Sequence, residues 1–156
     1  MGQRKSFFLH ALAAAAAVFL AACAPRIDSF TDPASSAGFL RMRGNRLSGG
    51  ISTVELNAQR FVKASATSYS LAVVYRGPGR LGIGPGATLA LTVDDEVVEL
   101  DGRGSGDACI VISPGVVEET AYYHNVDLSL IERIAAAREV GVEVRGKDTT
   151  LRRHFT

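Results

Sequence analysis

The chain has 156 residues with 17 Lys and Arg against 16 Asp and Glu, a formal charge of +1, so no global field gathers nucleic acid or acidic polymers. That length admits one domain with a real core but not two, and a hydrophobic share of 47% is enough to fill it.

The first element is the opening MGQRKSFFLHALAAAAAVFLAAC. Arg4 and Lys5 form a short positive region, residues 7–22 are almost wholly apolar, and small residues precede Cys23, which is the layout of an export signal that is later removed. The apolar run is sixteen residues long and includes His10, short of the roughly 20 that a spanning helix needs. Leu20-Ala21-Ala22-Cys23 resembles the lipobox of bacterial lipoproteins. The resemblance covers the first 23 residues only. It implies a diacylglyceryl group on the Cys23 sulfur, cleavage just before it and acylation of the new amino group. Two or three acyl chains hold a protein to a bilayer durably, where one does so only marginally. In that family an aspartate after the cysteine usually keeps the protein at the inner membrane, so Ala24 implies the outer membrane, with the domain facing the periplasm. The alternative is an ordinary secretory signal with Cys23 incidental.

Removal of residues 1–22 leaves 134 residues with 15 basic and 16 acidic side chains. Cys109 then has no disulfide partner within the chain, and its place in the apolar run ACIVIS predicts burial as a small hydrophobe. Residues 24–38, with two prolines among Ala, Ser and Asp, read as a leash. The expected division is a signal peptide over 1–22, a lipid anchor and flexible tether over 23–38, and a single β-rich domain over 39–156.

Arg41, Arg43 and Arg46 surround Gly44-Asn45, which predicts a short hairpin with an edge protected by arginine. From residue 51 the apolar period is two. Tyr69, Leu71, Val73 and Tyr75 form one face of a strand, and Leu89, Leu91 and Val93 one face of another. Asp94-Asp95 then predicts a hairpin turn into 96–100, because Asp tolerates positive φ better than most residues. Residues 101–107 read as a polar loop, with strands resuming over 108–113 and 116–123.

VDLSLIERIAAARE breaks the pattern. Leu128, Ile131, Ile134 and Ala135 recur at spacings of three and four, predicting an amphipathic helix over about 127–139. Asp127 or Ser129 is its expected N-cap, Glu132 completes a capping box with Ser129, and Gly141 is its expected stop. Residues 142–145 and 149–155 then form a closing hairpin. The fold class is therefore α+β, mainly β: an antiparallel sheet or sandwich-like domain with one amphipathic helix and a C-terminal hairpin.

Several constellations carry chemistry on paper. GPGRLGIGPG over 77–86 spells G-x-G-x-x-G through Gly77, Gly79 and Gly82, with Glu99 and Asp101 about twenty residues on. A dinucleotide loop requires a helix at the third glycine, and Ile83-Gly84-Pro85-Gly86 opposes one, so a structural turn and no nucleotide cofactor are expected. Tyr122-Tyr123-His124 with Asp127 is the most reactive-looking cluster, and Ser105 or Ser113 is the serine that would complete a nucleophile set. Gly104-Ser105-Gly106 does not fit G-x-S-x-G, and the default reading makes His124 a loop residue and Asp127 a cap. His124, His154 and Cys109 lack zinc spacing. Asp94, Asp95, Glu96, Asp101 and Asp107 lack the pattern of a calcium loop, so no metal is expected. The expected function is a non-catalytic envelope lipoprotein anchored at Cys23, whose β-rich domain meets a protein, glycan or cell-wall partner. The alternative is a periplasmic enzyme or enzyme accessory built on His124 and Asp127.

Overall fold

The computed structural model describes residues 26–34, 36–106 and 108–155; the signal segment, Cys23 and the first residues after it lie outside this range. Eleven strands and one helix follow in order: β1 (Arg26–Asp32), β2 (Ala37–Arg43), β3 (Arg46–Leu47), β4 (Thr53–Lys63), β5 (Ala66–Gly77), β6 (Gly86–Val93), β7 (Glu96–Gly102), β8 (Cys109–Ser113), β9 (Val116–His124), α1 (Leu128–Ala136), β10 (Val140–Arg145) and β11 (Thr150–His154). The first sheet runs β1-β2-β4-β5-β9-β8, with β3 also paired to β4, and the second runs β11-β10-β6-β7. Every pairing is antiparallel. The domain is mainly β with one helix, as the alternation of its apolar residues requires.

Period two sends alternate side chains to opposite faces, and the inward set of each sheet is aliphatic. Leu56, Val73 and Ala121 from the first sheet meet Leu89, Leu91 and Val142 from the second in one buried cluster. The chain crosses between sheets three times: through residues 78–85 after β5, through 103–108 after β7, and through α1 after β9. α1 lays Leu130, Ile131 and Ile134 on the cluster. The turn at Asp94 (φ 44°) and Asp95 (φ 74°) is the two-residue hairpin expected. Asp94 also accepts from the backbone N–H groups of Arg138 and Glu139, tying the helix exit to that turn.

Four expectations are corrected. Residues 26–32 form β1 and 37–43 form β2, paired from Arg26↔Arg43 to Asp32↔Ala37, so the expected tether is largely a hairpin docked on β4. Pairing across Ser29↔Leu40 and Phe30↔Phe39 gives that segment a ladder that its Pro and Ser content obscured. Gly44-Asn45 is not a hairpin turn, because β2 and β3 both pair with β4 and the two residues bridge a gap in one ladder. α1 spans 128–136 with Asp127 at the N-cap position but no side-chain cap bond, it ends at Ala137, and Gly141 lies inside β10 opposite Thr92. Cys109 is half-buried rather than buried, because β8 is an edge strand.

Candidate binding face

The outward side of the first sheet is not a plain solvated surface. Glu55, Asn57 and Gln59 point away from the core on β4, yet they are only 5%, 3% and 7% exposed. The gap between β2 and β3 explains two of them. Gly44 N donates to Glu55 Oε2 at 3.1 Å and Asn45 N donates to Asn57 Oδ1 at 3.2 Å, so β4 side chains satisfy backbone groups that a continuous ladder would have paired. Asn57 Nδ2 also donates to Glu55 Oε2 at 3.0 Å.

Arg76 on β5 lies between two carboxylates, 2.6 Å from Glu55 Oε1 and 2.5 Å from Glu118 Oε2 on β9. Burial pushes the Glu55 carboxyl up, but the Asn57 amide, the Arg76 guanidinium and the Gly44 N–H together hold it below its ordinary 4.5. Arg41 and Arg43 both reach Asp28 at 3.3 Å. Three guanidiniums thus meet three carboxylates, and these six charges offset one another.

Unused hydrogen-bonding capacity remains in the groove of about 140 Å³ that these residues flank. Arg41 Nε is buried without a partner among the described residues. Gln59 accepts from Ser70 Oγ at 3.2 Å, which leaves its amide N–H₂ uncommitted. The groove runs into a second hollow of about 260 Å³ walled by Phe39, Phe61, Ser68, Ser70 and His124. His124 stacks on Tyr122, with ring centroids 6.1 Å apart and planes at 16°. The Gln59 amide, which lines both hollows, therefore stands beside aromatic rings on one face.

The expected nucleophile set is not brought together. Ser105 is buried and donates to Glu119 Oε1 at 2.6 Å. Ser113 pairs with Val116 at the far end of β9, eight residues and roughly 26 Å from His124 at strand rise. The serine directly across from His124 is Ser70, and its hydroxyl goes to Gln59. Asp127 starts α1 and makes no side-chain cap bond.

The glycine loop has an anion, and it belongs to the chain. Glu119, fully buried on the inward face of β9, accepts from Leu81 N at 2.7 Å, Gly82 N at 3.1 Å and Ile83 N at 2.8 Å, besides the Ser105 hydroxyl. Burial drives its carboxyl up, while the Ser105 hydroxyl and the N–H groups of Ile83, Gly82 and Leu81 more than offset this and hold it below 4.5. Gly82 (φ +70°) supplies the left-handed turn that aims successive N–H groups at one point. Glu99, the residue a ribose would need, pairs with Arg145 at 2.7 Å on the outer side of the second sheet. Sequence reasoning missed Glu119, although one signal was present. Val117, Glu119, Ala121 and Tyr123 share a strand face, and a lone acid in that phase demands buried donors.

Among the described residues no group of three or more His, Cys, Asp or Glu is arranged to hold a metal ion. No family model, curated protein or solved structure matches the chain.

Proposed function

We propose that the protein is a lipoprotein of the bacterial envelope, anchored through acylated Cys23 on the periplasmic side of the outer membrane, whose non-catalytic sandwich binds a neutral glycan of the cell wall. The observation that supports the glycan reading is the outward face of the first sheet. With six charges tied into the clusters Arg41–Asp28–Arg43 and Glu55–Arg76–Glu118, the face offers the Gln59 amide as a donor, and its rings at Phe39, Phe61, Tyr122 and His124 offer flat surface. Sugar hydroxyls accept from the first, and sugar C–H faces lie on the second. The lipobox supports the anchor.

Glycan strands from purified cell wall, titrated against the protein, are expected to bind. Gln59→Ala and Tyr122→Ala are each expected to weaken that binding by about tenfold, the worth of one hydrogen bond or ring contact, with the folded state retained by circular dichroism. Absence of binding, or binding by both variants as tight as that of the natural protein, overturns the glycan reading. Cys23→Ser is expected to move the protein from the membrane fraction to the supernatant.

A second reading has its own observation. The remaining edge strands, β1, β7 and β11, all carry charges, whereas β8 is CIVIS, with Ile110 57% and Val111 75% exposed. An uncharged, exposed edge is open to strand addition by a partner. Val111→Lys is expected to abolish crosslinking in cells to a partner held by β8 and to spare one held on the sheet face.

A further inference from the structure

A third hollow, of about 370 Å³, opens between α1 and the inward face of the first sheet. Its walls are Met42, Leu56, Leu71, Ile131, Ile134 and Phe155, and its polar groups, Asn45 and Arg138, include no carboxylate. That size lies at the small end of the roughly 300–1,000 Å³ typical of ligand sites, room for one acyl chain and not for several. Its position is informative. Met42 pairs directly with Ile27 on β1, so Ile27, 68% exposed, extends the apolar wall outward toward the start of the described chain. Cys23 precedes Ile27 by four residues, a reach of at most about 14 Å. An acyl chain on that cysteine is thus tethered within that reach of Ile27, beside an apolar hollow formed by described residues.

We propose that this hollow houses one acyl chain of the protein's own Cys23, an inference that rests on the lipoprotein reading above. A lining that is apolar apart from Asn45 and Arg138, and that carries no carboxylate, fits an amide- or ester-linked chain, which brings no charge of its own. Covalent attachment through so short a segment raises the local concentration of that chain to the millimolar range, so it outcompetes free lipid. The remaining chains stay available to the bilayer, and the housed one is exchangeable with it.

The test compares native lipidated protein with a Cys23→Ser chain starting at residue 23, which keeps every described residue, using a fluorescent single-chain fatty acid as the reporter. The Cys23→Ser chain is expected to bind the reporter with micromolar affinity and the native protein at least tenfold more weakly. Adding Ala135→Phe, on the exposed helix side facing the hollow, to the Cys23→Ser chain is expected to abolish binding without a change in melting temperature. Equal binding by the native and Cys23→Ser proteins overturns the proposal, because the hollow is then open to free lipid. Absence of binding by both overturns it as well, because the hollow then takes no acyl chain. Intact mass of the native protein reads the underlying assignment separately: an unmodified Cys23 removes the lipoprotein reading and the occupant together.

Discussion

Glu119→Ala is expected to cost about 4 kcal/mol or more, because it strands three buried backbone N–H groups and the Ser105 hydroxyl, each of which carries a desolvation penalty of about 1–3 kcal/mol. Against a total stability of about 5–15 kcal/mol, that loss brings the domain close to unfolding. Glu119→Gln keeps the shape and one acceptor oxygen, but it turns an N–H₂ group toward donors, and about 2–4 kcal/mol is expected. Urea denaturation reads both. The pH dependence separates charge from shape. Glu119 is held below 4.5 in the folded state, so its contribution is complete above that value and is lost as pH falls through the lower folded one. Melting temperature of the natural protein should therefore drop on acidification below about pH 4.5, with Glu55 adding to the slope. The Glu119→Gln protein should show a shallower acid limb. An identical limb would mean that the buried carboxylate is not the acid-sensitive group.

Tyr123→Ala is expected to cost about 3–5 kcal/mol, the range for deleting a buried aromatic ring. Tyr123 is 0% exposed and is the largest fully buried side chain. Its ring packs on Gly102, where an added Cβ would stand 2.8 Å from Tyr123 Cε1, so β7 passes close beneath it. The hydroxyl bonds Thr88 Oγ1 at 3.0 Å, joining β9 of one sheet to β6 of the other. Tyr123→Phe removes only that bond, and about 1 kcal/mol is expected. The difference between the two variants isolates the ring. If Tyr123→Phe costs as much as Tyr123→Ala, the polar link between the sheets, and not the packing, is what holds them.

Much of the fold was legible because the alternation is strong where both faces differ. Leu71, Val73 and Tyr75 point inward as their spacing demands, and the Asp94-Asp95 turn and the closing hairpin fall where sequence placed them. The hairpin of β1 and β2 was not legible, because Arg26, Asp28, Arg41 and Arg43 occupy a face that meets water and neighbouring charge, leaving no apolar rhythm. Gly44-Asn45 misled for a similar reason. A turn dipeptide between two strands describes a ladder defect as well as it describes a hairpin, and only the side chains of a third strand decide between them. At the site, His124 and Tyr122 were singled out from sequence, and Arg41 only as part of an arginine-protected edge, but Gln59 was not, since its importance comes from β2, β4, β5 and β9 lying in one sheet. The glycine loop was correctly denied a nucleotide helix by its prolines, while its internal occupant sat some 36 residues downstream, beyond any local pattern.

Ser48, just after β3, and His154, at the end of β11, exchange backbone hydrogen bonds at 2.8 and 3.4 Å. That seam stitches an early stretch of the polypeptide to β11, so one flank of the sandwich stays unzipped until β11 has been made. A nascent chain arrested before residue 150 lacks β11 and with it the two backbone bonds between Ser48 and His154. Closure is therefore a late step set by a long-range contact, the kind that slows folding and lengthens exposure to proteases.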